Sequence, residues 1–261
     1  MNTPSTILSR AENGILTLTL NRPEKFNAVT EEMSTAFCAA LRAAGDDHSV
    51  RCIVIRGAGR GFCAGQDIDI ILKNNPADLG SIVQRCFNPM ILLITGVEKP
   101  VIAAVHGAAA GAGANLALAC DYVIASTEAN FTQSFVKIGL IPDSGGTFFL
   151  PRLVGLAKAR ELMMLGEKVP ASEAAELGMI QRAIEPQNFE GAVSELAQKL
   201  AALPTKALAL TKRLLHDGFA HSFQEQLAAE AAAQRSAGRT HDYHEGLKAF
   251  VEKRPPRFTG R

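Results

Sequence analysis

The chain has 261 residues with 27 basic and 26 acidic side chains, so its formal net charge is +1. Hydrophobic residues make up 47% of it, which is enough for a sizeable core and argues against disorder. This balance does not indicate a nucleic-acid surface or a polybasic membrane patch, and no apolar stretch is long enough to span a bilayer.

The first part of the chain alternates strand and helix patterns. Residues 15–20 alternate apolar and polar side chains, which predicts a strand. A helix is predicted to begin after Thr30, whose hydroxyl suits an N-cap. Buried strands are predicted over 51–56 and 101–105, and a short helix followed by a strand over 115–126. This order predicts an α/β fold whose active loops follow the strands.

The C-terminal part has helical patterns only. Three helices are predicted, over residues 205–218, 222–237 and 241–254. We therefore divide the chain into a core, residues 1–200, and a helical C-terminal region, residues 201–261. This region is small and apolar, so we expect it to pack on the core or on another subunit.

The five cysteines are scattered, odd in number and without a C-x-x-C pair, and no histidine lies at ligand spacing from them. The stretch over residues 1–14 has no basic segment leading into an apolar run, so we expect no secretory signal. These features predict reduced thiols in a cytoplasmic protein without a metal site.

Two glycine-rich segments each follow a predicted buried strand. They are RGAGRGFCAGQDI, residues 56–68, and HGAAAGAGANLAL, residues 106–118, hereafter the first and second glycine loops. Small residues let a ligand approach the backbone, and free N–H groups at a helix start bind negative charge. Two such loops favour an oxyanion hole, in which two N–H groups converge on one oxygen. Tight packing is the plainer alternative, and a dinucleotide fingerprint is disfavoured because Leu116 replaces its third glycine.

The two loops belong to a resemblance that covers nearly the whole chain. The stretches that carry it are NRPEKFNAV, RGFCAGQDI, KPVIAAVHGAAAGAGANLALACD, FVKIGLIPDSGGTFFLPRLVG, LGEKVPASEAAELGMI and FVEKR. By these motifs the chain resembles the enoyl-CoA hydratase/isomerase family, or crotonase superfamily. The resemblance implies a spiral of ββα turns and a helical C-terminal region that builds trimers or hexamers. It also implies an acyl-CoA substrate, with no cofactor beyond the coenzyme A of that substrate.

The resemblance further implies where the substrate binds. The backbone N–H groups of Gln66 and Ala112 would hold the thioester oxygen and stabilise an enolate. Ala112 begins a helix, so its N–H is free and the helix dipole favours negative charge there. Positions that contact CoA in this family match Lys25, Phe26, Ala28, Ala64, Gln66, Asp67, Ile68, Phe250 and Lys253. Asp67 is expected to have a structural or capping role there, and the last two residues often serve a neighbouring subunit.

The chain departs from the hydratases of this family at two acidic positions. Those enzymes hold and activate water with two glutamates, whose places are taken here by Asn115 and Phe135. A phenyl ring accepts no proton, and Asn115 can only orient a group or a water. The resemblance instead implies Asp143 as the acid/base, with its pKa raised by apolar surroundings, and Asn115 as its helper. From the residues alone, Asp143 or Ser144 could equally cap the helix that starts near Gly146.

One acid/base group, one enolate site and no water-holding pair favour isomerisation over hydration. The resemblance implies conversion of ring-1,2-epoxyphenylacetyl-CoA to oxepin-CoA, as in phenylacetate catabolism, or a shift of the 3-enoyl-CoA double bond to the 2-position. An enoyl-CoA hydratase is the alternative within the family. A catalytically weak CoA- or RNA-binding member is the alternative of another class. The acyl group would be selected by pocket residues such as Phe87, Met90, Phe135 and Phe148.

Overall fold

The computed structural model of the chain describes residues 5–73 and 78–261, so residues 1–4 of the N-terminal stretch lie outside the described residues. The strands are β1 (Ile7–Glu12), β2 (Ile15–Leu20), β3 (Cys52–Gly57), β4 (Val101–Val105), β5 (Ala108–Ala110), β6 (Tyr122–Ser126), β7 (Asn130–Thr132), β8 (Lys168–Pro170) and β9 (Arg182–Ile184). The helices are α1 (Glu31–Asp46), α2 (Ile68–Lys73), α3 (Leu79–Ile82), α4 (Asn88–Gly96), α5 (Ala112–Leu118), α6 (Gly146–Leu165), α7 (Ala171–Glu176), α8 (Pro186–Ala202), α9 (Thr205–Asp217), α10 (Phe223–Ala237) and α11 (His241–Val251).

The main sheet has the strand order β1-β2-β3-β4-β6-β9, and a smaller sheet has the order β5-β7-β8. β1 and β2 form an antiparallel hairpin, whereas the later neighbours in the main sheet are parallel. Parallel strands end at the same edge of a sheet, so the loops that follow β3 and β4 leave it side by side. These loops are the first and second glycine loops.

The central strands of the main sheet, β3, β4 and β6, are buried on both faces, as their continuous apolar sequences predict. Ile53 and Ile55 of β3 face the larger core, which also contains buried side chains of α1, α4 and α5. Cys52 and Val54 face the opposite way, toward Phe189 and the apolar face of α8. This alternation follows the two-residue period of a strand and anchors β3 directly before the first glycine loop.

Helix α1 confirms the helical pattern predicted after Thr30. The Thr30 Oγ1 atom accepts a hydrogen bond from the Met33 N–H at 3.1 Å, which makes Thr30 the N-cap. Met33, Phe37 and Leu41 lie about one turn apart and are buried in the larger core. This packing fixes the segment before the helix, which runs beside the first glycine loop.

The C-terminal region is helical, as predicted, with α9, α10 and α11 in succession. The Lys212 ammonium of α9 lies 2.9 Å from the Asp121 carboxylate of the core. The Asp242 carboxylate of α11 accepts a hydrogen bond from the Gly260 N–H at 2.7 Å, which ties this helix to the end of the chain. The predicted division after residue 200 falls within α8, and it stays a prediction.

All five cysteines are free and buried, as the sequence predicts. Burial raises the pKa of Cys52 to about 12 and that of Cys63 to about 11. Thiols with such pKa values stay protonated near neutral pH and are poor nucleophiles. Within the described ranges, the structure contains no helix with the length and apolar character needed to cross a membrane.

Candidate active site

The two glycine loops are joined by a short parallel bridge. The Phe62 N–H donates to the Ala108 carbonyl oxygen at 2.9 Å, and the Ala110 N–H donates to the Cys63 carbonyl oxygen at 2.9 Å. Phe62, Cys63 and Ala109 are fully buried. The loops therefore converge, as an oxyanion hole requires.

Two glycines make this close approach possible. A Cβ atom on Gly113 would lie 2.2 Å from the Cys63 carbonyl oxygen, so only glycine fits where α5 meets the first glycine loop. Gly65 has a φ of +88°, and a Cβ atom there would lie 3.2 Å from the Ala112 nitrogen. Gly65 thus places the next residue, Gln66, beside the start of α5.

Asn27 fixes the first glycine loop from the inside. Its side chain is fully buried, and its Nδ2 atom donates to the carbonyl oxygens of Gly61 at 2.8 Å and Phe62 at 3.1 Å. Two residues later, the Val29 N–H donates to the Gly65 carbonyl oxygen at 2.7 Å. The segment before α1 therefore holds the middle of the loop, from Gly61 to Gly65.

The backbone N–H groups of Gln66 and Ala112 lie where the two loops meet. Within residues 5–73 and 78–261, neither group donates a hydrogen bond to a protein acceptor. Ala112 is the first residue of α5, and an N–H at that position has no intrahelical partner. Both predicted oxyanion donors are therefore available to a ligand, although their binding of a thioester oxygen stays a prediction.

Asp143 lies on a tight turn before α6, residues 142–145, hereafter the Asp143 loop. Ser144 and Gly145 both have left-handed backbone conformations, with φ values of +51° and +74°. The Ser144 hydroxyl donates to the Asp143 carboxylate at 2.8 Å, and the Gly146 N–H donates to the Asp143 carbonyl oxygen at 2.9 Å. The N-cap of α6 is Gly145, without a side-chain hydrogen bond. The alternative in which Asp143 or Ser144 caps this helix is therefore wrong.

The Asp143 carboxyl is half-buried, and this burial raises its pKa above the usual range of an aspartate. The hydrogen bond from Ser144 stabilises the ionised form and offsets part of the rise. A carboxylate whose conjugate acid has a raised pKa is a stronger base toward a weakly acidic C–H group. The loop therefore has the electrostatic property that the predicted acid/base role needs.

The two positions that lack carboxylates lie next to the Asp143 loop and the second glycine loop. Asn115 of α5 is fully buried, and its Nδ2 atom donates to the Asp143 carbonyl oxygen at 2.8 Å. Its Oδ1 atom accepts a hydrogen bond from the Gln133 Nε2 atom at 2.7 Å. The Phe135 ring packs on the turn before α5, since a Cβ atom on Gly111 would lie 3.7 Å from its Cζ atom. Asn115 thus orients the Asp143 loop, and Phe135 forms an apolar wall.

Asp67, the other acidic residue of the predicted site, is part of the scaffold. Its side chain is 5% exposed, and its carboxylate lies 2.7 Å from the Arg22 guanidinium. Its second oxygen accepts a hydrogen bond from the Asp69 N–H at 3.1 Å, at the start of α2. These contacts agree with the structural or capping role expected from the sequence.

The remaining predicted CoA residues of the core lie together along the first glycine loop. The Ala64 N–H donates to the Phe26 carbonyl oxygen at 2.9 Å, and the Ala28 N–H donates to the Lys25 carbonyl oxygen at 3.0 Å. Lys25 and Ile68 are exposed, whereas Ala28 is buried and offers only its backbone. An extended ligand could follow this line of residues toward Gln66.

The two predicted residues of the C-terminal region lie apart from this group. Phe250 on α11 is 82% exposed, and Lys253 follows that helix with a φ of +54°. The chain end beside α11 contacts the amino end of β3, where an Arg51 nitrogen donates to the Phe258 carbonyl oxygen at 3.4 Å. The glycine loops leave the opposite end of the sheet. Among the described residues, neither Phe250 nor Lys253 forms a hydrogen bond or ion pair with the first glycine loop, and their role in a neighbouring subunit stays a prediction.

Two clefts separate the predicted pocket residues. A cleft of about 340 Å³, within the size range of small-molecule sites, is lined by residues that include Gln66, Val29, Ile70, Ile82 and Phe87. Phe148 lies instead in a cleft of about 360 Å³ beside α9. The Arg152 Cζ atom lies 3.6 Å from the centroid of the Phe148 ring. Met90 is fully buried in the core. Of these predicted residues, Phe87 shares a cleft with Gln66.

Sequence reasoning missed three residues that build the site: Arg22, Asn27 and Gln133. Arg22 and Asn27 lie in NRPEKFNAV, and the left-handed φ of Asn27, +57°, is a conformation that asparagine tolerates better than most residues. Gln133 gives no comparable signal, because one polar residue between short apolar segments is typical of a loop. Its contact with Asn115 of α5 is created only by the fold.

The model of the enoyl-CoA hydratase/isomerase family matches residues 10–261. The chain is 45% identical to a 1,2-epoxyphenylacetyl-CoA isomerase of Escherichia coli (strain K12), over 98% of each chain. It is 44% identical, also over 98% of each chain, to a protein of Rhodobacter capsulatus named probable enoyl-CoA hydratase.

Solved structures have the same fold. The crystal structure of an enoyl-CoA hydratase from Bacillus anthracis matches with a TM-score of 0.93 and 31% identity, over 98% of this chain and 100% of that one. The enoyl-CoA hydratase of Mycobacterium smegmatis matches with a TM-score of 0.91 and 34% identity, over 97% of this chain and 98% of that one. The predicted crotonase-like α/β fold with a helical C-terminal region is confirmed, and the chain belongs to the enoyl-CoA hydratase/isomerase family.

Proposed function

We propose that this chain is an acyl-CoA isomerase that works through a thioester enolate, with Asp143 as its acid/base. The observation that carries the proposal is the position of Asp143. Its half-buried carboxyl lies on a loop bound to α5, the helix that begins with the free Ala112 N–H. The name of the similar Escherichia coli protein supports the same class of reaction. The proposed substrates are ring-1,2-epoxyphenylacetyl-CoA, converted to oxepin-CoA, and 3-enoyl-CoA, converted to 2-enoyl-CoA.

For a 3-enoyl-CoA, the proposed reaction moves a proton between two carbons of the acyl chain. The Asp143 carboxylate takes a proton from C2, and the electron pair of that bond moves into the thioester, which leaves negative charge on its oxygen. The N–H groups of Gln66 and Ala112 donate hydrogen bonds to this oxygen. The protonated Asp143 then returns the proton to C4, which forms the conjugated 2-enoyl thioester with no atom gained or lost.

The coenzyme A part of the substrate is proposed to follow the first glycine loop. Exposed Lys25 and Phe26 flank this path, Ala64 and Ile68 continue it, and Asp67 holds its scaffold. Phe250 and Lys253 would reach the nucleotide end of coenzyme A from a neighbouring subunit. Both proposed rearrangements are internal to the acyl group, so no separate cofactor is proposed.

Hydration is the second candidate, because relatives such as the Rhodobacter capsulatus protein are named as hydratases. Adding water to a 2-enoyl-CoA requires groups that hold and activate that water. Here Phe135 offers no proton acceptor, and both ends of the Asn115 amide are hydrogen-bonded within the protein. These contacts favour isomerisation over hydration.

We propose that the chain forms homotrimers or hexamers. The segment leading to Asp143 exposes large apolar side chains, with Ile141 80% exposed, and so does α11 at Phe250. Light scattering at micromolar concentration tests this proposal, and a monomer would contradict it. The cytoplasmic location expected from the reduced cysteines stays a prediction.

The direct test follows the purified protein on a 3-enoyl-CoA and, separately, on a 2-enoyl-CoA, by mass and by ultraviolet absorbance. We expect the 3-enoyl substrate to become conjugated without a change of mass, and the 2-enoyl substrate to gain little or no water. Rapid addition of water to the 2-enoyl-CoA would contradict the proposal. Double-bond movement alone would justify a test with the ring epoxide.

A further inference from the structure

We propose that Gln133 is a positioning residue for catalysis, which acts through Asn115 to hold the Asp143 loop in its working conformation. This inference rests on the proposed function of Asp143. No motif or family resemblance described above assigns a role to Gln133. Its contacts form one chain of hydrogen bonds that ends at the acid/base residue.

This series consists of two hydrogen bonds, and both are buried. The Gln133 Nε2 atom donates to the Asn115 Oδ1 atom at 2.7 Å, and the Asn115 Nδ2 atom donates to the Asp143 carbonyl oxygen at 2.8 Å. Gln133 is 3% exposed and Asn115 is fully buried. Gly146 lies directly on the Asn115 amide, since a Cβ atom there would lie 2.3 Å from Nδ2. The Asp143 loop therefore contacts the Asn115 amide directly, and its hydrogen bond to that amide forms only when the NH₂ group faces the loop.

The Asp143 carbonyl oxygen, at the end of this series of hydrogen bonds, fixes which group donates and which accepts in each of them. The Asp143 carbonyl oxygen can only accept hydrogen bonds, so the Asn115 amide must present its NH₂ group to it. The Asn115 oxygen then faces Gln133, which must present its own NH₂ group in turn. A flipped amide at either residue would bring two acceptors together. Gln133 thus complements, and so stabilises, the one orientation of Asn115 that binds the loop.

The other end of the Gln133 amide has no protein partner among the described residues. Within the described parts of the chain, its Oε1 atom is buried and accepts no hydrogen bond. A buried acceptor without a partner destabilises the folded state, and an apolar residue of similar shape would avoid that loss.

The two hydrogen bonds also connect the two parts of the proposed site, the enolate donors and the acid/base. Asn115 and Ala112 lie on the same face of α5, one turn apart, so the helix holds a predicted enolate donor and the clamp on Asp143 together. A looser Asn115 amide would let the carboxyl move relative to the bound thioester. Small displacements of a catalytic group lower the rate of a proton transfer more than they lower substrate binding.

The test is a double-mutant cycle with Gln133→Met, which keeps the size but removes the donor, and Asn115→Ala. With a 3-enoyl-CoA, we expect Gln133→Met to lower kcat about tenfold while KM changes by less than about twofold. Because Gln133 acts through Asn115, we expect adding Gln133→Met to Asn115→Ala to change kcat by less than about twofold. We also expect the acid limb of the pH profile of kcat/KM to move to lower pH in Gln133→Met. A looser loop exposes the Asp143 carboxyl and so reduces the rise in its pKa that burial causes. A merely structural role would lower the amount of active enzyme without moving this limb.

Asp143→Asn is measured beside these variants to separate the two proposals. Full turnover by Asp143→Asn would overturn the proposed function itself. Loss of turnover in Asp143→Asn, together with a wild-type kcat in Gln133→Met or fully additive effects in the cycle, would overturn the positioning role alone. Gln133→Asn, which keeps an amide but is too short to reach Asn115, replaces Gln133→Met if that variant does not fold.

Discussion

The glycine loops and the Asp143 loop meet at α5, but they provide their functional groups in different ways. The glycine loops present backbone N–H groups, and their path depends on Gly65 and Gly113, where a Cβ atom would collide with neighbouring backbone. The Asp143 loop presents one side chain, and its path depends on a hydrogen bond from Asn115.

This difference teaches where a substitution should matter. In the glycine loops, the position of the chain counts and the side chain of Gln66 counts little, because the donor is an N–H group. In the Asp143 loop, the proposed mechanism makes proton transfer depend on the identity of one carboxyl. Substitutions that remove a side chain and substitutions that remove an N–H group should therefore have opposite consequences in the two regions.

The largest effect is expected for Asp143→Asn. We expect kcat on a 3-enoyl-CoA to fall by about 10³-fold, because general acid–base catalysis is typically worth 10² to 10⁴, while KM changes by less than about threefold. Steady-state kinetics measure both values. The matched control is Asp121→Asn, which changes a second half-buried carboxyl, one that is paired with Lys212 of α9. An equal loss in both variants would show a general effect of removing buried carboxyls rather than a role in catalysis.

The next effect separates backbone from side chain at Gln66. Gln66→Pro removes the backbone N–H group, which has no protein acceptor in the described structure, and also replaces the side chain and fixes φ there; we expect kcat to fall by about 10² to 10³. Gln66→Ala keeps the N–H group and should lower kcat by less than about threefold. Circular dichroism confirms that both variants fold. Similar losses in both variants would show that the side chain, not the N–H group, contributes.

A smaller effect is expected in the pH dependence. Asp143 must be ionised to take a proton, so kcat/KM should fall as the pH drops through its pKa, which burial raises above the usual aspartate value. Ser144→Ala removes the hydrogen bond that lowers this pKa, so its acid limb should lie at higher pH than that of the wild type. Initial rates over a range of about pH 4 to 8 measure the acid limbs of the wild type and of Ser144→Ala. A limb that moves to lower pH in Ser144→Ala would contradict this assignment.

The smallest effect is expected in stability. The folded-state pKa of Asp143 is raised, so its ionised form disfavours folding at neutral pH, and this penalty disappears below the pKa of the unfolded chain, about 3.9. Asp143→Asn should therefore have a higher free energy of unfolding than the wild type at neutral pH, and the difference should shrink in acid. Urea unfolding at neutral pH and at acid pH measures this difference in the free energy of unfolding. A less stable variant at neutral pH would show that the carboxylate stabilises the fold.

Much of this architecture was predictable because periodic patterns report burial directly. The alternation from Ile15 to Leu20 and the spacing of Met33, Phe37 and Leu41 gave correct elements. Both glycine loops were also identified from the sequence, since the glycines follow strands whose ends meet at one sheet edge.

The contacts around Asp143 were less predictable, because they join residues distant in sequence. Nothing local to Gln133 indicates that its amide binds Asn115, and nothing local to Asp67 indicates its ion pair with Arg22. Phe148 was expected near the acyl group, but it lies under Arg152 in another cleft. Such contacts depend on how helices pack, which the pattern of a single segment does not encode.

The most direct test of the central claim measures the proton that Asp143 is proposed to move. A 3-enoyl-CoA is incubated in deuterium oxide with the wild type or with Asp143→Asn at saturating enzyme, and loss of the C2 protons is followed by NMR. We predict rapid loss with the wild type and, with Asp143→Asn, a rate close to that without enzyme although the thioester stays bound. Equal loss with both proteins would contradict Asp143 as the base and assign the proton transfer to another group.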